Sequence, residues 1–416
     1  MRVEIENFPV RTPPRLELEP PREVWYSLPA YEDPTKFTLP CEASGDPEVY
    51  EWHKNGRKLR IDGKRVQFQR PGQSGTITFY EPVREDEGYY QCFVRNIFGT
   101  AVSNRVNVKM GVLEHFHRRD IETIVVNQLD KLTLTCEEPY GVPKPTVFWL
   151  YRNERETHVI ETIDRDHVTT DGDGNLRFSY VDRHDGRENL LYQCAASSPV
   201  LHGEHRAGPQ TRLVVTNKTV NNYDRRELLW TSPAEMTVVA GDQLKMTCIF
   251  SGYPHIPPHW RRLDEVLPKE RIITDKDHGK SLIIEPVHPS DAGVYECRLG
   301  NLKHRVTVTV VAAPFWKTGP PVDISRPEES TAELRCDADG DPPPLMRWYI
   351  NGEPLETVLD MNGAMILEED KVLRIPRLDH DKHTAVYQCN ASNDLGYVFA
   401  NAFVNVQGAF YASFSC

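Results

Sequence analysis

The residues in this sequence best equipped for chemistry are nine cysteines, at positions 41, 92, 136, 194, 248, 297, 336, 389 and 416. A cysteine can ligate a metal, attack a substrate as its thiolate, or oxidise with a second cysteine, and spacing separates these uses. Metal sites need short Cys-x2–4-Cys clusters, and this chain has none. Taken in order, the first eight cysteines form pairs 51, 58, 49 and 53 residues apart. The spacing predicts disulfides Cys41–Cys92, Cys136–Cys194, Cys248–Cys297 and Cys336–Cys389. On the chain-entropy model each bridge contributes on the order of 4 kcal/mol. Four bridges imply an oxidising compartment, and hence an extracellular protein, either secreted or on the cell surface. Cys416 is left over and is expected to be free or to pair between chains.

Other constellations are weaker. No Gly-x-Ser-x-Gly, His-Glu-x-x-His or phosphate-binding glycine loop occurs, so no enzyme and no cofactor is expected. The run "DGDGN", Asp171–Asn175, resembles the start of a calcium loop but has Val181 and Asp182 where the closing glutamate belongs. It reads as a hairpin turn before the strand "LRFSYV". "HDKH", His380–His383, reads as an exposed corner with solvated histidines rather than a metal site. Two arginine pairs, Arg118 with Arg119 and Arg225 with Arg226, are candidate contacts for anionic glycans or lipid headgroups, because guanidinium groups grip phosphate and sulfate with two parallel bonds. Solvated surface charge is the plainer account of both pairs. Sequons at Asn217 and Asn390 are candidate glycosylation sites, and Asn390 should face outward if Cys389 faces inward. The net charge of −12 argues against nucleic acid as a partner. No apolar run approaches the roughly 18 residues of a membrane span. The opening "MRVEIENFPV" lacks the apolar core of a signal peptide.

The elements that would position the cysteines can be read around them. Each pair encloses one tryptophan, 11 to 13 residues after its first member: Trp52, Trp149, Trp260 and Trp348. Each second cysteine has a tyrosine two places before it: Tyr90, Tyr192, Tyr295 and Tyr387. Period-two apolar alternation leads into each first cysteine, as in Phe37, Leu39, Cys41 and in Leu244, Met246, Cys248, which marks a strand with one buried face. A disulfide from that strand to one in the opposite sheet crosses a sandwich core, with the indole packed on it. The tyrosine hydroxyl then bonds back to the corner before its strand. "DEGYYQC" and "DAGVYEC" have this corner, shaped by Asp86 and Gly88 and by Asp291 and Gly293. In the second and fourth repeats the acid and glycine are displaced or missing, and an altered corner is expected. The fold class is therefore all-β, with four tandem immunoglobulin-like sandwiches.

The domain plan is an N-terminal arm at 1–13, domains at 14–110, 111–216, 229–312 and 313–407, a linker at 217–228, and a tail at 408–416. The joints between the first and second and the third and fourth domains are short. The second-to-third joint, "TNKTVNNYDRREL", spans up to ~45 Å when extended, more than a ~20–30 Å sandwich strand, so the chain can reverse there.

Whole blocks, including "YQCFVRNIFGTAVSNRV", "GKSLIIEPVHPSDAGVYEC", "CDADGDPPPLMRWYINGEPL" and "ASNDLGYVFANAFVNVQ", resemble the four amino-terminal immunoglobulin domains of neuroglian-type neural cell adhesion molecules. They are also similar to hemolin, a soluble four-domain immune protein. The resemblance covers nearly the whole chain and implies a horseshoe bent at the second-to-third linker. It also implies homophilic adhesion, or contact with another immunoglobulin-type surface protein. The hemolin likeness implies instead a soluble immune protein that binds microbial surface lipids and haemocytes. Two departures stand out. The last hairpin of the third domain is clipped to "RLGNLKHRVTV", and no further repeat follows Gln407 before the unmatched "GAFYASFSC". A third reading is an intracellular muscle-type immunoglobulin array, which is similar in fold but usually lacks the cross-core cystine; free thiols at Cys41 and Cys92 would favour it.

Overall fold

The computed structural model describes residues 12–28, 36–154, 160–201, 203–217, 226–273, 277–358 and 364–408. The expectations for Arg225, for Cys416 and for most of the linker at 217–228 lie outside the described residues. Contacts divide the chain into two compact units, Met1–Met110 with Ala313–Cys416, and Gly111–Ala312. The first domain thus packs with the fourth and the second with the third, as a reversal of the chain between the second and third domains requires.

Each domain is a two-sheet sandwich. In the first, Lys36–Leu39 pairs with Ile77–Tyr80, which pairs with Val66–Phe68. The facing sheet runs from Glu23–Tyr26 through Val106–Met110, Gly88–Asn96 and Val49–Lys54 to Arg57–Lys58. Phe37, Leu39 and Cys41 are buried, and Phe37 stacks on Phe79 with ring centroids 4.4 Å apart. The alternation read in the sequence is therefore the side of the strand turned to the core. An early strand runs parallel to the last strand in every domain. These pairs are Glu23–Tyr26 with Val106–Met110, Glu122–Asn127 with His205–Thr216, Glu235–Val239 with Leu302–Gly319, and Ile324–Pro327 with Gly396–Gln407.

Disulfides join Cys41 to Cys92, Cys136 to Cys194, Cys248 to Cys297 and Cys336 to Cys389. An indole Nε1 donates to a backbone carbonyl in three cores: Trp52 to Gly75 at 2.6 Å, Trp149 to Gly174 at 2.9 Å and Trp348 to Asp370 at 2.8 Å. In the third core the Trp260 Nε1 is buried without a partner.

Every tyrosine corner is present; the first and third are locked alike, and the second and fourth each differ. The hydroxyls of Tyr90, Tyr295 and Tyr387 donate to the carbonyl four residues upstream, on Asp86, Asp291 and His383, at 2.6, 2.7 and 3.3 Å. Tyr192 reaches seven residues back, to Asp185 at 3.1 Å, so the second domain's corner is three residues longer. In the first domain Asp86 receives both ends of the Arg65 guanidinium, at 2.5 and 3.0 Å, and caps Val83 N. In the third, Arg271 and the His288 amide do the same for Asp291. Burial would raise the Asp291 carboxyl, but the arginine and that amide hold it below the ordinary range. In the second, the acid is Asp185 and its partner is His167, Nε2 to Oδ2 at 2.9 Å. In the fourth, His383 replaces the acid and accepts the Asp379 amide on Nδ1 at 2.8 Å. The reading of solvated histidines in His380–His383 is corrected for one of the two: His380 is exposed, whereas His383 is fully buried, because its ring does the corner aspartate's work. The run Asp171–Asn175 is a hairpin turn, with Asp171 N donating to Asn175 O and the Asp171 carboxylate taking the Asp173 and Asn175 amides.

Candidate functional site

The features that set this chain apart from a single sandwich are the faces its domains turn to one another. In the first unit the strand Gly99–Val102 closes a hairpin onto Gly88–Asn96. An antiparallel ladder satisfies every second residue, so Thr100 and Val102 present their outer N–H and C=O groups as an open edge. Side-chain amides of the fourth domain fill that edge. Asn401 Oδ1 accepts Val102 N and Asn401 Nδ2 donates to Val102 O, both at 3.0 Å. Asn351 Oδ1 accepts Thr100 N at 2.9 Å, and Gln388 Nε2 donates to Thr100 O at 3.0 Å. Each amide thus acts as a short piece of neighbouring strand.

Two glycines permit this approach. A Cβ on Gly99, at φ +142°, would meet Asn351 Oδ1 at 2.6 Å, and one on Gly352, at φ +86°, would meet the Phe93 ring at 2.5 Å. Around them, Tyr397 OH donates to Arg105 O at 2.6 Å, Phe98 packs edge-on to Phe403, and Arg15 pairs with Asp323. Hydrogen bonds of this neutral type contribute about 1 kcal/mol each.

In the second unit the contact is more ionic. Gly252 N donates to Ser179 O at 3.0 Å, Trp230 Nε1 to Asp173 at 2.7 Å, and His278 meets Asp164 at 2.9 Å. Tyr180 and Tyr253 pack edge-on, with ring centroids 5.1 Å apart. The Lys280 ammonium is buried beside the carbonyls of Val168 and Asp277, and burial pushes its pKa down to about 8. His167, stacked on Tyr180, lies between Asp166 and Asp185. Burial would lower its pKa, but the two carboxylates outweigh burial and raise it.

Arg118 and Arg119 do not share a site with Arg226. Arg118 and Arg119 are exposed on a shallow groove of about 600 Å³, where Arg119 pairs with Glu137. Arg226 does not line that groove and donates instead to Pro254 O at 3.1 Å. Asn217 is exposed at the end of its strand. Asn390 faces away from its own core, as the alternation expects, but that face is turned to the first domain and the residue is half-buried. Among the described residues, no group of three or more His, Cys, Asp or Glu side chains is placed to hold a metal ion. Among them also, no helix is long and apolar enough to cross a membrane.

Asn351, Gln388 and Asn401 escaped the sequence reading. The available signal was the strand "AVYQC", in which Gln388 sits one place from Tyr387 and Cys389. All five residues are buried, so the strand is covered on both faces. A buried glutamine facing away from its own core needs a partner elsewhere.

Comparison with known proteins follows the same lines. The immunoglobulin domain family matches residues 13–96, 228–301 and 317–393. The second domain, with its longer corner, is the one left unmatched. Neuroglian of Drosophila melanogaster is 31% identical over 95% of this chain, and neurofascin of Gallus gallus is 31% identical over 88%. The chain spans about a third of these relatives, 31% and 28% of their lengths. The crystal structure of the insect immune protein hemolin, described there as a domain arrangement with implications for homophilic adhesion, superposes with a TM-score of 0.82 at 24% identity. It covers 95% of this chain and all of hemolin. The N-terminal four immunoglobulin domains of Dscam1 isoform 7.44 give 0.64 at 20% identity, over 95% of this chain and 99% of that one. With four repeats of cystine, indole and tyrosine corner, and matches over most of its length, the chain belongs to the immunoglobulin domain family.

Proposed function

We propose that this chain is an extracellular adhesion module that recognises a second copy of itself, or a related immunoglobulin-type surface protein. The observation that supports this reading is the amide-filled edge at Gly99–Val102. The groups of the fourth domain that complete this edge within one molecule are equally suited to complete it in a neighbour. Opening one closed pair and re-forming it between copies exchanges identical contacts, which makes the net cost small. Recognition of this kind needs no bond making or breaking, and the reading is of a binding protein rather than an enzyme. Glycans on Asn217 and Asn390 are part of the same reading, the first on an open surface and the second at the junction of the first and fourth domains.

Beads coated with the purified chain should clump, and soluble chain should disperse them. Beads that stay apart at all coating densities would overturn the reading. They would turn attention to a soluble immune protein that binds microbial lipids, a reading favoured by the exposed Arg118 and Arg119 on their groove. Its measure is binding to lipopolysaccharide that is lost in the Arg118→Ala, Arg119→Ala double variant.

A further inference from the structure

We propose that the cleft between the first and fourth domains binds an acidic oligosaccharide through guanidinium groups that are stacked on tyrosine rings. The cleft encloses about 660 Å³, a size typical of ligand sites, and both domains supply its walls. Arg105 lies 4.4 Å over the Tyr89 ring, and its own carbonyl takes the Tyr397 hydroxyl. Arg22 lies 5.7 Å over the Tyr397 ring. Arg347 is exposed on the neighbouring strand, in register with Asn390. Among the described residues, none of these three guanidinium groups is paired with a carboxylate.

Stacking is the feature that matters. A guanidinium held by its flat face on a ring keeps its in-plane N–H donors for another acceptor. That fork matches a sulfate or carboxylate with two parallel bonds. Sugar rings add an apolar face suited to exposed tyrosine edges, and hydroxyls suited to amides. The Asn390 Oδ1 is buried without a hydrogen-bond partner, an acceptor still to be filled. Of the acidic groups on the lining, Glu23 is already occupied by Lys109 at 2.6 Å, while Asp394 is exposed at the rim. The whole chain carries −12, so a short oligosaccharide gains the local attraction without laying a long polyanion along an acidic surface. Two sources carry this chemistry: a free sulfated or carboxylated glycan, or an acidic glycan on this chain's own Asn390.

The full chain is titrated calorimetrically with a sulfated heparin-type hexasaccharide and with its desulfated, N-acetylated counterpart. One arm uses the native chain and the other uses chain freed enzymatically of N-glycans. Saturable one-to-one binding of the sulfated form is expected, roughly tenfold or more tighter than the desulfated form. Arg105→Gln and Arg347→Gln should each weaken it by about the same factor. Arg347, exposed and unstacked, keeps the test valid if the Arg105 variant misfolds. Binding seen only after deglycosylation supports the cleft and identifies the Asn390 glycan as its occupant. No saturable binding in either arm overturns the proposal. So does an equal loss in the Arg118→Gln, Arg119→Gln variant, which would mean diffuse attraction to any basic surface. The bead assay tests adhesion separately, so clumping beads with a flat titration would reject the cleft alone.

Discussion

Asn401 offers the sharpest test of how the first and fourth domains hold together. In Asn401→Ala, Val102 N and Val102 O both lose their partner, and Gln388 Nε2 loses one of its acceptors. Val102 is 2% exposed, so water does not replace those bonds while the pair stays closed. Two neutral hydrogen bonds at about 1 kcal/mol each make a loss of about 2 kcal/mol, which multiplies the opening constant roughly 30-fold. Amide hydrogen exchange reads that constant directly. Thr100 N is the cleaner probe, because its own partner, Asn351, is untouched. Its exchange should accelerate by about the same factor as opening, whereas Ala101, paired with Val94 inside the hairpin, should change little. If Val102 accelerates while Thr100 does not, Asn401 shields its own partner but contributes nothing to the pairing. If neither amide changes, the edge is not held by Asn401 in solution and the proposed adhesive contact loses its basis.

Three further outcomes are expected. Tyr90→Phe leaves the buried Asp86 carbonyl without its donor and should cost about 1–2 kcal/mol, read as a lower urea midpoint at constant m-value; an unchanged midpoint would mean the corner bond is idle. The raised pKa of His167 makes its contribution complete below the ordinary histidine value near 6.5, and progressively lost as pH rises through the higher folded value. The thermal midpoint of the wild type should therefore fall, relative to His167→Gln, as pH rises above the ordinary histidine value near 6.5, and parallel profiles would contradict this. Lys280→Met removes a buried ammonium that protonates only below about 8, so it should raise stability at neutral pH by up to about 3 kcal/mol. The gain should shrink above pH 8, where the wild-type lysine folds uncharged; a destabilised variant would show that the carbonyls of Val168 and Asp277 more than repay the charge.

The part of the fold legible in the sequence was the part encoded within about 60 residues of chain by chemically singular side chains. Cys41, Trp52, Tyr90 and Cys92 each have one role in a sandwich, so type and spacing suffice. The corners were legible only where the acid kept its place. His167 and His383 do corner work that an arginine or an aspartate does elsewhere, and a histidine outside its usual position carries no signature. The interface was harder still. Thr100 and Gln388 lie 288 residues apart, and Val102 and Asn401 299 apart. Each is an unremarkable residue on a strand face until the other domain arrives. Asn390 shows the same gap: its outward direction followed from Cys389, but what stands outside it did not.

The parallel pairing of an early strand with the last strand has a mechanical meaning. Tension applied through the two ends of such a domain pulls these strands past each other, so their hydrogen bonds bear load together instead of peeling one by one. The second domain has the longest such clamp, from Glu122 opposite Thr211 to Asn127 opposite Thr216. Should a clamp slip, the cystine behind it limits the damage. In the first domain the 51-residue span from Cys41 to Cys92 stays tethered, which at about 3.4 Å per residue withholds roughly 170 Å of chain from extension. A contact between cells built from such modules would lengthen in short, bounded steps under force, with the two cystine-linked sheets of each domain never fully separated.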